Sequence, residues 1–280
     1  MSSEWSAPVL GAGGLTVGYG DRTVIEGLDV EIPPRSFTVI IGPNACGKST
    51  LLRTLARLLR PAAGAVTLDG TDLRTLPSKQ VARTVGLLPQ SSTAPEGITV
   101  TDLVRRGRFP HQGFLKQWSA EDEAAVRAAL AATQTEELAT RGVDQLSGGQ
   151  RQRVWVALVL AQRTPILLLD EPTTFLDIAH QLELLNLFDR LHQEGRTLVA
   201  VLHDINQAAR YATHLIAMRD GRIVASGPPE QVVTEACIEE IFGLQCRVVP
   251  DPETHTPMVI PLAHRRAALQ PTTPTREGHS

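Results

Sequence analysis

The stretch Phe37-Thr38-Val39-Ile40-Ile41-Gly42-Pro43-Asn44-Ala45-Cys46-Gly47-Lys48-Ser49-Thr50 carries the reading of this chain. Its first five residues form a short apolar run with β-branched members, which predicts a buried strand. The first eight of the remaining nine fit the spacing G-x-x-x-x-G-K-[ST], and a helix is expected to follow from about Lys48 to Leu59, closed by Pro61 and Gly64. Strand, glycine turn and helix are the context this motif needs. The glycines let the backbone curl until its N–H groups and the helix start converge on phosphate oxygens. The nine residues from Gly42 to Thr50 are thus the expected ATP-binding loop, with Lys48 bringing a mobile positive charge to the β- and γ-phosphates and Ser49 ligating magnesium. Cys46 sits at a variable position where a small side chain is tolerated; the helix start could also lower its thiol pKa, making it alkylable unless nucleotide shields it.

Moving outward, Val24–Ile32 reads as a strand before the loop and Val85–Leu88 as a short one after it. Residues 91–97 form a polar loop containing Pro and Gly. From Thr99 to about Thr140 the chain is rich in Ala, Glu and Arg with no convincing strand, and Ser119–Thr133 is strongly helical in composition, so a helical insertion is expected. A further helix is predicted from Ser147 to Arg163. Ile166-Leu167-Leu168-Leu169 is then a buried-type strand that ends on Asp170 and Glu171. The two acids have separate tasks: Asp170 holds magnesium directly or through water, and Glu171 polarises the attacking water. Ile178, Leu182, Leu185, Phe188 and Leu191 mark one face of a helix ending near Gly195, and Thr197–Leu202 is the next strand. Strands alternating with helices imply an α/β fold whose mainly parallel sheet is covered on both faces, with ligands beyond the carboxyl ends of the strands. Residues 264–280, rich in Pro, Thr and Arg, read as a disordered tail.

Composition narrows the function classes. The formal charge of −3 over 280 residues and a pI near 6.2 supply no global basic field, so no nucleic-acid partner is expected. Cys46, Cys237 and Cys246 offer neither a disulfide framework nor zinc-site spacing, which fits a reducing compartment. No secretory signal is read at residues 1–7, and the apolar runs, such as Val154–Ala161, fall far short of the roughly 20 residues a membrane helix needs. Any membrane role is expected to come through a partner.

Leu146-Ser147-Gly148-Gly149-Gln150, followed by Arg151-Gln152-Arg153, stands shortly before Asp170 and Glu171. With these residues the chain resembles the ATP-binding subunits of ABC transporters over nearly all of residues 8–250, in that family's motif order. The resemblance implies a P-loop NTPase core with an N-terminal antiparallel β part. It also implies a division into an ATPase core (8–90 and 141–232), a helical subdomain (91–140) and a C-terminal extension (233–263). Residue by residue, it implies that Tyr19 stacks on adenine, that Gln90 senses magnesium and the attacking water, and that His203 contacts the γ-phosphate. Asp177, in Thr174-Phe175-Leu176-Asp177, falls in the loop that crosses between two subunits. ATP is then sandwiched between the Lys48 loop of one copy and Leu146–Gln150 of the other, so one copy is half an active site. Two residues depart from the family pattern. Ala45 replaces a frequent Gly, and ordinary φ is expected there; Phe175 stands where small or polar residues are common.

Arg108-Phe109-Pro110-His111-Gln112-Gly113, Trp118-Ser119 and the run from Thr173 to Gln181 resemble ATPases of ferric-siderophore importers, whose cousins import cobalamin or haem. The implied partners are a second copy of the chain, transmembrane permease subunits and, indirectly, a substrate-binding protein, at the cytoplasmic face of the cell membrane. Docking is expected after Gln90 and on the insertion, where reversing the charge of Arg106 or Arg108 should uncouple transport. A soluble ABC ATPase of DNA repair or translation is the alternative of another class. It is disfavoured by the lack of sustained heptads and by the presence of one cassette rather than two.

Overall fold

Alternation within the apolar runs explains the layers. In the strand Phe37–Ile41 every residue is buried, yet Phe37, Val39 and Ile41 pack into one apolar cluster while Ile40 packs into another. Ile166–Asp170 and Thr197–Val201 divide the same way: Leu167, Leu169, Leu198 and Ala200 face the first cluster, Ile166, Leu168, Val199 and Val201 the second. Successive side chains point to opposite faces of a strand, so an unbroken apolar run requires cover on both sides.

The computed structural model describes residues 7–90, 93–113 and 118–262; the start of the expected 91–97 loop and the expected tail at 264–280 lie outside them. In chain order the elements are β1 (Leu10–Tyr19), β2 (Arg22–Ile32), β3 (Phe37–Ile41), α1 (Lys48–Leu55), β4 (Ala63–Leu68), β5 (Thr71–Asp72), α2 (Ser78–Thr84) and β6 (Val85–Leu88). Then come α3 (Val100–Arg105), a 3-10 turn at Arg106–His111, α4 (Ala120–Ala132), α5 (Gly148–Ala161), β7 (Ile166–Asp170), α6 (Ile178–Gln193), β8 (Thr197–Val201) and α7 (Ile205–Tyr211). The chain continues through β9 (His214–Arg219), β10 (Arg222–Gly227), α8 (Pro229–Val232), α9 (Glu235–Phe242), β11 (Cys246–Pro250) and β12 (Pro257–Pro261).

The central sheet runs β10-β9-β3-β8-β7-β6, parallel throughout except for β10 on β9, and an antiparallel sheet β2-β1-β4-β5 lies beyond α1. Both the mainly parallel sheet and the N-terminal antiparallel part are therefore present. Between β6 and α5 the described chain forms α3, α4 and short 3-10 turns, and the one extended contact there is the isolated bridge Thr99–Gly142.

Two expectations need correction. The first helix stops at Leu55, not Leu59. Arg57 takes a left-handed φ of 60° and donates its N–H to Thr54 O at 2.9 Å, closing the last turn early. Arg108, read as a surface charge, is 1% exposed and bonds inward to Asp122.

Candidate active site

The phosphate loop joins β3 to α1. Gly42 has φ 152°, and a Cβ there would meet Met218 O at 2.2 Å; Gly47 has φ 108°. Both positions therefore require glycine. Ala45 corrects the sequence reading, because its φ is 62° and not ordinary. The curl that turns the loop's N–H groups inward passes through this residue, and a Cβ in that region costs roughly 1–2 kcal/mol. Ala45 is solvent-exposed, so the strain is conformational and involves no clash.

Lys48, at the start of α1, is only 5% exposed, and its ammonium donates to Gly42 O at 2.8 Å and Pro43 O at 2.7 Å. The charge is thus folded over the loop, held by two carbonyls that a phosphate oxygen can replace. Cys46 Sγ lies 4.0 Å from the same ammonium, but burial pushes the thiol pKa up, with Lys48 opposing. This agrees with the reading of Cys46 as a tolerated small side chain and goes against the alternative of a lowered thiol pKa, since the thiol is buried. Tyr19, at the end of β1 and 48% exposed, lines with Arg22, Asn44, Ala45, Lys48 and Ser49 a cleft of about 310 Å³.

The acids lie at the carboxyl end of β7, flanked in the sheet by β6 and β8. Asp170 is fully buried; Ser49 Oγ donates to its Oδ1 at 2.7 Å and Arg53 Nη2 to its Oδ2 at 3.5 Å. Burial drives the Asp170 pKa upward against the pull of Ser49 and Arg53. A buried carboxylate beside a hydroxyl is a hard oxygen donor set of the kind Mg²⁺ takes, so these residues fit that cation.

Glu171 Oε1 lies 2.9 Å from His203 Nε2, and its Oε2 accepts from Thr174 Oγ1 at 3.3 Å. Burial presses its pKa up, but the hydrogen bonds from His203, Gln90 and Thr174, with the nearby imidazole, outweigh it and hold the carboxyl below its ordinary value. Gln90 follows β6 by two residues and His203 follows β8 by two, so three neighbouring strand ends deliver the cluster.

The ABC transporter family model matches residues 25–174. The chain is 59% identical over 249 residues to the ferric enterobactin transport ATP-binding protein FepC of Escherichia coli K12, a match spanning 89% of this chain and 92% of that protein. It is 52% identical over 253 residues to the achromobactin transport ATP-binding protein CbrD of Dickeya dadantii, across 90% and 94%. A dimeric bacterial ABC transporter cassette superposes with TM-score 0.71 at 28% identity, over 78% of this chain and 98% of that one. The chain belongs to the ABC transporter family, as an ATP-binding subunit.

In this ABC subunit the remaining predicted residues lie apart from the Lys48 cleft. Ser147, Gly148, Gly149 and Gln150 line a separate concavity of about 540 Å³ with Phe175 and Asp177. Ser147 caps α5: its Oγ accepts from Gln150 N at 3.3 Å, and Gln150 Oε1 accepts from Ser147 N at 3.1 Å. Leu146 is buried beneath this start. Asp177 caps α6, accepting from His180 N at 2.9 Å and pairing with His180 Nδ1 at 2.7 Å. Phe175, on the same concavity, is 77% exposed and at φ 67°, with its Cβ 3.6 Å from where a Cβ on Gly148 would sit.

Sequence reading overlooked Arg53 and Thr174. Arg53 was within reach of a spacing argument, since it stands four residues after Ser49 and so on the same helix face. Thr174 gave no such signal, because its approach to Glu171 depends on a turn in which Glu171 itself has φ 54°.

Proposed function

We propose that this ABC subunit hydrolyses ATP to energise uptake of an iron(III)–siderophore complex, working as a pair of copies on permease subunits at the cytoplasmic face of the membrane. The substrate class rests on one observation, the 59% identity to a ferric enterobactin transport ATP-binding protein across nearly the whole of both chains.

Tyr19 stacks on the adenine and Lys48 leaves the carbonyls of Gly42 and Pro43 to meet the β- and γ-phosphates. Ser49 and Asp170 hold Mg²⁺, which when bound neutralises phosphate oxygens. Glu171, kept ionised by its hydrogen-bond partners, accepts a proton from the attacking water, while Gln90 and His203 fix the position of that carboxylate and of the γ-phosphate. The N–H groups of Gly148 and Gly149 and the Ser147 hydroxyl of a second copy complete charge stabilisation at the γ-phosphate. The separation of the Ser147 concavity from the Lys48 cleft supports this division between copies. Among the described residues no helix is long and apolar enough to cross a membrane.

Uptake of radiolabelled iron as a siderophore complex, measured in cells deleted for this gene, tests the reading. Loss of uptake that the wild-type gene restores and Lys48→Ala does not is the expected result. Normal siderophore uptake with loss of haem or cobalamin uptake would overturn the substrate class and leave the ATPase role standing.

A further inference from the structure

Helix α7 begins two residues after His203 and is bonded on both flanks. On one flank, Asn206 Oδ1 accepts from Val259 N at 2.7 Å while its Nδ2 donates to Val259 O at 3.2 Å, gripping the backbone of β12. One turn further on, Arg210 Nη2 lies 2.6 Å from Asp251 Oδ2, and Nη1 lies 3.8 Å from Glu253 Oε2. Asp251 also accepts the N–H groups of Glu253 and Thr254, at 2.9 and 3.1 Å, so the turn between β11 and β12 is organised around the carboxylate that Arg210 holds. On the other flank, Gln207 Nε2 donates to Gln181 Oε1 at 3.1 Å, and Gln181 Nε2 donates to Leu176 O at 3.0 Å, immediately before Asp177. Tyr211 OH donates to Asn186 Oδ1 at 2.8 Å, a second tie to α6.

This framework matters because His203 is held by its side chain at Glu171 Oε1, 2.9 Å away, but not by burial. Its side chain is 49% exposed. Its backbone is fixed by β8 before it and by the start of α7 after it, where Asp204 Oδ1 accepts from Asn206 N at 2.8 Å and Gln207 N at 3.0 Å. Displacing a reacting group by 1 Å costs about 10²-fold in rate.

We propose that α7 is a strut clamped by the β11–β12 hairpin, and that Asn206, Gln207 and Arg210 are positioning residues that register His203 against the Asp177 loop. The inference rests on the proposed contact of His203 with the γ-phosphate. It gives the C-terminal hairpin a task in turnover: the hairpin holds one side of the helix whose other side is linked through Gln181 to the loop proposed to face the second copy.

Steady-state ATP hydrolysis by the full chain tests it. Gln207→Leu and Asn206→Ala should each lower kcat five- to tenfold and leave KM for ATP within twofold, because Tyr19 and Lys48 lie at a different strand end. Gln207→Lys, which keeps a donor within reach of Gln181 Oε1, should recover most of the loss, whereas mere packing damage would not be relieved by a longer charged side chain. Hydrogen exchange of residues 203–211 should quicken in Asn206→Ala while residues 37–55 stay unchanged. Should Asn206→Ala fail to fold, Gln207→Leu, similar in size and half-buried, decides alone. Wild-type kcat in Gln207→Leu, or no recovery in Gln207→Lys, overturns the strut. His203→Ala separates the two ideas: wild-type turnover there removes the γ-phosphate contact itself, whereas its loss beside a normal Gln207→Leu removes only the strut.

Discussion

A base that takes a proton from water must be ionised before the reaction and still close to neutral surroundings. Glu171 meets both demands, partly buried yet held below the ordinary carboxylate pKa by His203, Gln90 and Thr174. Glu171→Gln is expected to lower kcat by about 10²–10⁴-fold with little change in ATP binding, as read by steady-state hydrolysis beside nucleotide titration. Because the folded pKa is depressed, the base stays ionised through the neutral range and its protonation limb lies below the usual Glu value of about 4.3. Deleting the strongest partner, in His203→Ala, should move that limb of residual kcat to higher pH; an unmoved limb would detach Glu171 from the rate. Ala45 sets a separate residue-scale test. Its φ of 62° is one that glycine adopts freely, so Ala45→Gly should relieve roughly 1 kcal/mol of strain, offset in part by the greater freedom of glycine in the unfolded chain. A small rise in melting temperature with unchanged hydrolysis is expected, and a fall would show that the loop gains rigidity from the alanine.

The helical insertion is held together by an ion pair that residue type conceals, and the same arginine ties it to α5. Arg108 Nε donates to Asp122 Oδ1 at 2.8 Å and its Nη1 to Ala161 O at 2.9 Å, joining the 3-10 turn, the start of α4 and the end of α5. Removing one partner of a buried pair strands the other charge, at about 3–5 kcal/mol. Arg108→Ala should therefore lower the urea midpoint sharply, and reversing this charge would unfold the insertion before it could report on transport. Arg106, exposed on the same turn, should shift stability by under about 0.5 kcal/mol on reversal and is the residue with which to probe docking. Equal midpoints for the two variants would remove the pair from the account. The same elements mark what could be read in advance. β3, β7 and β8 were legible because burial on both faces leaves continuous apolar runs, and Ser119–Thr133 was legible as a helix from its composition. The inward turn of Arg108 was not, since arginine is usually exposed and Asp122 stands 14 residues away across the insertion. The His214–Arg219 strand escaped as well: it is bounded by polar residues and defined by pairing to β3, far back in the chain.

At the scale of the whole molecule, the Lys48 loop and the residues at the start of α5 open onto different concavities, which supports the proposal that function depends on how copies meet. ATP can draw two copies together only by binding the closed pair more tightly than the open one, and hydrolysis removes the γ-phosphate on which that difference depends. Head-to-tail pairing then makes a definite prediction about mixtures. A Lys48→Ala copy has a failed phosphate grip and an intact Ser147; a Ser147→Arg copy has the reverse, its guanidinium filling the space meant for the γ-phosphate. Each variant alone carries a defect in both sites of its pair. In a mixed pair one site collects both defects and the other is whole. Equal mixing yields about half mixed pairs with one working site in two, so about a quarter of wild-type hydrolysis should return if the sites act independently. Strict coupling between sites would suppress turnover even in the correct geometry, so occupancy is measured as well. With Glu171→Gln added to both copies, mixed pairs should trap ATP in one site, whereas either variant alone should trap none. Absence of trapped ATP in the mixture would mean that Ser147 serves the Lys48 loop of its own copy, and the two concavities would then have to be joined by a movement within one chain.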